Sequence, residues 1–342
     1  MLEEGIHPIL HVFQTAQTET PLFDNSVVNI NYYQPKTGHR GFSFMAPFSI
    51  SSYYDKKLIH TLNKDQYPIL FHGIETTFNV KDIERNGRKI FIRCLENDII
   101  KDFSNSNFNI HGNSRWHDFF SITKSNYENE LIKQFPLLVP NQETSNRLTA
   151  KSKKITTYFI PYFIGIPTYL GENGTGNFCL FHGDLANDKM EKAAQWLLEN
   201  IFNEIDIPFV IAGSEPSKSL EEAAHRQLNT CLVANPAANE RLELIKKAQL
   251  NILPSFGGNS NTHELIQSLI FGRHILALEK NNTTDELHDL IHLENAKEEL
   301  KNKIKILFES TFTEEEKNKR EAFLQKYLND KIGAEKLINM LY

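Results

Sequence analysis

The chain has 342 residues, of which 40% are hydrophobic and 23% charged, and a formal net charge of −6. This is long enough for two domains with separate cores and has the make-up of a soluble globular protein. The acidic balance and the lack of a long basic run argue against nucleic acid as a partner. No apolar run reaches the length of a membrane span, and the N-terminus shows no basic segment followed by an apolar one. Three scattered cysteines, Cys94, Cys179 and Cys231, lack metal-ligand spacing and read as reduced thiols. The expected location is cytoplasmic, with peripheral contact to an inner membrane left open.

In chain order, the N-terminal half reads as irregular α/β, with strand-like runs at Ile9 to Phe13, Val27 to Tyr32, Ile69 to Phe71, Lys89 to Ile92 and Phe119 to Ile122. The stretch from Thr156 to Pro167, rich in aromatics and proline, reads as a crossover between domains. Gly171 to Asn177 is a glycine-rich loop that precedes a strand instead of following one. The C-terminal half is cleaner. Short apolar runs at Phe178 to Phe181, Phe209 to Ala212, Cys231 to Ala234, Asn251 to Leu253 and Ile275 to Leu278 alternate with amphipathic stretches. Helices are expected from about Asn187 to Phe202 and from about Lys218 to Leu228. This alternation predicts a parallel sheet with helices on both faces. The charged tail from Glu314 to Tyr342 reads as helical. The predicted organisation is an N-terminal domain over 1–165, a C-terminal domain over 166–312, and helices over 313–342 that pack back toward the first domain.

Open parallel sheets bind ligands beyond the carboxyl ends of their strands. In the C-terminal half those ends carry His182-Gly183-Asp184, Gly213-Ser214-Glu215-Pro216, Asn235-Pro236 and the loop beginning Gly257-Gly258-Asn259. The last of these leads into a helix expected to start near Thr262. Free backbone N–H groups around Asn261, Thr262 and His263, with the positive helix end, suit a phosphate, and Glu264 suits sugar or ribose hydroxyls. Together they are what a nucleotide-sugar would need. A Thr N-cap followed by Glu is equally an ordinary helix start. In the N-terminal half, His72 and Glu75 flank Gly73 beyond a buried strand. Either can orient an acceptor hydroxyl or take its proton, or they are a turn histidine and a helix-start glutamate. Thr76 serves the same site or caps the next segment. Arg93, ending a strand, faces phosphate or pairs with Glu96 or Asp98.

Several blocks in order resemble one family. They are Pro68 to Phe78, Arg88 to Arg93, Gly176 to Leu185, Val210 to Ser217 and Leu269 to His274. The chain resembles the retaining glycosyltransferases of the GT-B fold, family 4-like, and within them a Bacteroidetes mannosyltransferase branch. The resemblance implies two Rossmann-like domains facing across a cleft. It implies transfer of a hexose from a GDP- or UDP-sugar to an acceptor hydroxyl, the acceptor being a glycan, a lipid-linked glycan or a protein. It places the base near Asn235 and Pro236, the ribose at Glu264, and the diphosphate over Gly183, Gly213 and the helix mouth. Lys189 falls where related enzymes place a phosphate-binding lysine, although its run of charged neighbours also fits a solvated helix face. No metal and no other cofactor is expected, and the sequence has no Asp-x-Asp pair.

The sequence also departs from the family pattern. The first strand–loop–helix unit is expected to be missing, so that a protein partner completes the N-terminal domain, the start lies upstream, or the fold is rebuilt. The family's Glu and His stand as His72 and Glu75 in exchanged order, and the carboxylate eight residues before Glu264 is replaced by Phe256. These departures keep two other functions open: an inactive glycosyltransferase-like scaffold, and a nucleotide-sugar epimerase.

Overall fold

The computed structural model describes residues 5–14, 28–94, 115–140, 142–165, 168–253, 262–278, 287, 289–294 and 296–342. They form two compact units, one of Met1–Tyr162 with Lys331–Tyr342, the other of Phe163–Asp330.

In the first unit, β1 (Ile9–Phe13) and β2 (Asn29–Tyr33) pair in parallel as a two-stranded sheet. A second parallel sheet takes its four strands in chain order: β3 (Ile69–His72), β4 (Ile90–Arg93), β5 (Leu137–Val139) and β6 (Thr157–Phe159). Successive side chains of a strand point to opposite faces. Ile90, Ile92, Leu137 and Val139 accordingly enter one core with Phe71, Phe78 and Leu131, while Phe91 and Leu138 enter another with Leu337 and Leu341. Helices α1 (Phe48–Ser51), α2 (Lys56–Leu62), α3 (Arg115–Gln134) and α4 (Gln142–Lys151) complete the chain up to β6. Asp55 starts α2 as an N-cap, accepting from the N–H groups of Lys57 and Leu58.

Three readings change here. The apolar run Phe119 to Ile122 lies inside the twenty-residue helix α3 and is not a strand. A short apolar run does not by itself separate a buried strand from a helix segment. The stretch from Thr156 to Pro167 contains β6, and β5 is a strand without a signal of its own in the sequence, each only three residues long.

The second unit holds a six-stranded parallel sheet in the order β12-β11-β10-β7-β8-β9. Its strands are β7 (Cys179–Asp184), β8 (Phe209–Ser214), β9 (Thr230–Ala234), β10 (Leu250–Leu253), β11 (His274–Ala277) and β12 (His292–Leu293). All pairings are parallel. Between the strands run α5 (Asp188–Leu197, continued by a π turn through Phe202), α6 (Lys218–His225), α7 (Ala238–Lys247) and α8 (Thr262–Phe271). Helices α9 (Lys297–Glu309) and α10 (Glu314–Tyr327) follow, and the last helix, α11 (Asp330–Leu341), belongs from Lys331 on to the first unit. Alternation again divides the cores: Cys179, Phe181, Phe209, Ile211 and Ile252 face α5, α6 and α9, and Leu180 and Ala212 face α7. A capping box between Thr313 and Glu316 opens α10, with Thr313 N donating to Glu316 Oε2 at 2.8 Å and Glu316 N to Thr313 Oγ1 at 3.2 Å. The fully buried Arg320 on α10 donates to the carbonyls of Gly272 and Arg273, with Phe312 4.8 Å from its guanidinium. Arg320 thereby ties α10 to the turn between α8 and β11.

Candidate functional site

From β7 the second sheet runs outward through β8 and β9, then crosses over to β10, β11 and β12 on the other side. The segment leaving β7 enters α5 on one face, and the one leaving β10 enters α8 on the other. Such a reversal opens a crevice beyond the carboxyl ends of the two central strands, the usual ligand position in open α/β sheets.

Two glycines set the spacing there. A Cβ on Gly213 would lie 2.3 Å from the carbonyl oxygen of Gly183, so the ends of β7 and β8 approach as closely as they do only without it. A Cβ on Gly183 would stand 2.3 Å from Met190 Cε and 3.7 Å from Glu264 Oε1. The carboxylate of Glu264 therefore hangs over Gly183. Glu264 and Ser268 share one face of α8, and Gly272, just past its last residue, follows at the same four-residue interval. The three lie over Gly183, His182 and Asn251 in turn. Ser268 Oγ is 3.3 Å from His182 Nε2, and a Cβ on Gly272 would come within 2.4 Å of Asn251 Nδ2.

This polar seam leaves hydrogen-bonding capacity unused. Glu264 Oε2, Gln267 Oε1, His182 Nδ1 and Arg241 Nε are buried and make no hydrogen bond to any described residue. Buried polar atoms are normally satisfied, so these exceptions beyond the strand ends make the seam the candidate binding site. Burial pushes the Glu264 carboxyl above its ordinary value; its own backbone N–H and then Arg241 oppose the shift, and Asp184 adds to it. His182 is driven down to about 3 by burial first and then by Arg241 and His263, so its imidazole is neutral. His263 is held below its ordinary value by partial burial and by Arg241.

Arg241 was not singled out from the sequence. It sits inside the charged stretch Asn239-Glu240-Arg241-Leu242-Glu243 on α7, where nothing distinguishes it from a solvated face. Packing of α7 beside α8 gives it its surroundings. Gln267 was also missed, because one polar residue in an apolar helix carries no signal of where it points.

The neighbouring loops are fixed by specific bonds. Asp184 Oδ1 accepts from Ser214 Oγ at 2.6 Å and from Ala186 N at 3.2 Å. Asn235 has φ +52° and Glu215 φ +48°, both left-handed. Asn235 N donates to the Gly213 carbonyl at 2.8 Å and Asn235 Oδ1 accepts from Glu215 N at 2.9 Å. The loops after β8 and β9 are thus stitched together, with Pro236 next in line. Lys189 is exposed in the first turn of α5, where Asn187 Oδ1 caps its N–H at 3.0 Å. Thr262 opens α8. Asn261, together with Phe256 and the Gly257 loop, lies outside the described residues, and so does the side chain of Thr262.

In the first unit, His72 and Arg93 are paired across β3 and β4, and the N–H of Gly73 donates to the Arg93 carbonyl at 2.9 Å. Shielding and then the Arg93 guanidinium hold His72 below its ordinary value, with Glu75 opposing. His72, Glu75 and Arg93 therefore share one strand edge. Arg93 is buried, and its Nη2 donates to the Pro161 carbonyl at 2.8 Å; Glu96 and Asp98 lie outside the described residues. Burial is the main cause of the lowered Arg93 value, with Tyr162 opposing it. The Thr76 carbonyl accepts from Asn79 Nδ2 at 3.0 Å. Thr77 is fully buried, bonded to the Ile74 carbonyl and Tyr127 OH, and serves packing.

Among the described residues, no group of three or more His, Cys, Asp or Glu is arranged to hold a metal ion, and no helix is long and apolar enough to cross a membrane. No family model matches the sequence, and no curated protein matches it either. Solved structures do match. A mutant of S. aureus TarM, in complex with fondaparinux, α-GlcNAc-glycerol and UDP, superposes with TM-score 0.62 at 15% identity, over 86% of this chain and 58% of TarM. The chain thus spans less than two thirds of that protein. Anabaena HepE, in complex with UDP and glucose, gives TM-score 0.59 at 13% identity, over 92% of this chain and 86% of HepE. Trehalose-6-phosphate synthase, studied with bisubstrate glycomimetics, gives 0.58 at 10% identity, over 97% and 92%. At these identities the likeness speaks for architecture, and with the two parallel Rossmann-like sheets it establishes that this chain has the GT-B fold.

Proposed function

We propose that the chain is a glycosyltransferase that moves a hexose from a nucleotide-sugar to an acceptor hydroxyl, with retention and without a metal. The observation that carries the reading is Glu264, a carboxylate poised over Gly183 at the sheet's reversal point with Oε2 buried and unmatched. Paired ribose hydroxyls are the donors such an oxygen accepts from. The diphosphate belongs over Gly183 and Gly213 at the start of α8, where backbone N–H groups and the helix dipole favour an anion and Arg241 adds a full positive charge. The same groups stabilise the charge that grows on the diphosphate as the sugar leaves. Asn235 and Pro236 take the base, and Lys189 or His263 the outer phosphate.

On the first unit, a His72 held neutral beside Arg93 suits a base that takes the acceptor's proton, and Glu75 is its alternate. The solved neighbours support this reading through their ligands: UDP with TarM and with HepE, and glycosyl transfer with retention for trehalose-6-phosphate synthase. Placement in the mannosyltransferase branch, and GDP-mannose as the donor, rest on the sequence resemblance.

The test is a thermal-shift and calorimetry panel of UDP, GDP, ADP, CMP and their sugar conjugates. One nucleotide is expected to raise the melting temperature of the wild type, and Glu264→Ala is expected to abolish that shift. Unchanged binding in Glu264→Ala would remove the donor-site assignment. Nucleotide binding with neither transfer nor hydrolysis would favour the scaffold reading.

A further inference from the structure

The first unit presents an apolar feature that its own fold does not use. Between β2 and α2, four of the seven residues from 42 to 48 are exposed large hydrophobics: Phe42, Phe44, Met45 and Phe48. Phe44 is 80% exposed and Met45 69%. Single exposed hydrophobics are ordinary, but adjacent ones on one loop form a patch that calls for an occupant.

The loop is held in place at its base. Ser51 Oγ donates to the carbonyls of Gly41 at 2.6 Å and Pro47 at 3.1 Å, which draws the two ends of the segment together. Ala46 and Ile50 anchor it in the core beside Phe71 and Ile74, and Lys36 N donates to the Ser52 carbonyl at 2.8 Å. The rings of Phe42 and Phe44 meet edge to face at 5.0 Å. The backbone under the apolar tip is therefore held with the tip outward, which lowers the cost of ordering it when it is covered.

Its charge environment indicates what covers it. No acidic residue stands between Asp24 and Asp55, while Lys36, His39 and Arg40 precede the tip and Lys56 and Lys57 follow it. His39, Arg40, Lys56 and Lys57 are exposed. Of the nearby carboxylates, Asp55 caps α2 and Asp82 is hydrogen-bonded to Tyr54. In a chain of net charge −6, an aromatic and thioether tip is thus flanked in sequence by basic residues. The occupant has to match the apolar tip and the basic residues together. An anionic bilayer matches both, since aromatic side chains settle at the headgroup level and each nearby cation is drawn to the negative surface.

We propose that the segment from Lys36 to Lys57 docks the first unit on an anionic phospholipid surface, with Phe44 and Met45 inserted between headgroups and Arg40, Lys56 and Lys57 in contact with phosphates. The proposal is independent of the transferase reading, and its test needs no donor.

The full chain is sedimented with vesicles of phosphatidylcholine alone and with vesicles that also contain phosphatidylglycerol. Binding is expected for the anionic vesicles only, and is expected to weaken as salt is raised. Phe44→Ser combined with Met45→Ser is expected to cut partitioning about tenfold or more through lost apolar burial. Arg40→Glu is expected to weaken it through charge. Leu228→Ser, an equally exposed apolar residue of the second unit, is expected to change nothing. Circular-dichroism melts confirm that each surface variant is folded. A wild type that stays in the supernatant, equal binding to neutral vesicles, or a Phe44/Met45 variant that pellets like the wild type overturns the proposal. So does a dimer, seen by sedimentation velocity, that this double variant splits while no vesicle binding occurs, because that assigns the patch to a second copy.

Discussion

Glu264 Oε1 lies 3.7 Å from the point that a Cβ on Gly183 would occupy, so a carboxylate on α8 and the end of β7 share one small space. The two glycines at this edge differ in what opposes a side chain. At Gly183 the first obstacle is the mobile tip of Met190, and at Gly213 it is the backbone carbonyl of Gly183. Gly213→Ala is expected to destabilise the protein by about 1–3 kcal/mol, and Gly183→Ala by less, in urea-unfolding measurements. Gly183→Ala is nevertheless expected to weaken nucleotide binding, because its methyl narrows the space beneath Glu264.

Glu264 also carries a pH signature. Its folded value is raised by burial, so the folded state holds the proton more tightly than the unfolded chain does. The charged form therefore costs stability once the pH rises above the ordinary carboxylate value of 4.5 and through the raised one. Glu264→Gln is expected to be more stable than the wild type at neutral pH and no more stable at acid pH. The same variant is expected to bind nucleotide less well. Equal stabilities at both pH values would show that the carboxylate carries no burial cost.

The histidines act in the opposite sense. Burial holds His182 down to about 3, and burial together with His274 holds His292 down to about 4. The unfolded chain binds these protons near the ordinary 6.5 while the folded chain does not. Stability is thus fully present above 6.5 and falls as the pH drops toward 4 and then 3. Denaturant unfolding across this range is expected to show a slope reduced by up to one proton in His182→Gln, and likewise in His292→Gln. An unchanged slope in both variants would mean that these imidazoles are not held neutral by the fold.

Asn235 tests the stitched loops. Its φ of +52° is strained for a residue with a Cβ, and its side chain repays this by accepting from Glu215 N. Asn235→Ala is expected to lose about 1–2 kcal/mol, from the lost bond and from strain that alanine tolerates less well. Asn235→Gly is expected to lose less. Chemical denaturation ranks the two.

The parallel sheet of the second unit was legible in the sequence because its strands are buried on both faces and read as unbroken apolar runs, such as Cys179 to Phe181 and Phe209 to Ala212. The strand-end loops at Gly183, Gly213 and Asn235 were legible too, since glycine and asparagine mark chain reversals. Local signals failed where elements are short or ambiguous. The apolar run at Phe119 to Ile122 joined the long helix α3, and the three-residue strands β5 and β6 are defined only by their neighbours.

The sequence by itself determined the parallel α/β sheet of the second unit, through periodicity, and offered Glu264 as a candidate, through a carboxylate in the first turn of a helix. Only the tertiary structure decided what surrounds that carboxylate. Docking of α8 over β7 and β10 set Glu264 above Gly183 and Ser268 against His182, and packing of α7 beside α8 gave Arg241 its place among them. Periodicity records which side of an element is buried, but not which element lies opposite it. The candidate site is made of those oppositions.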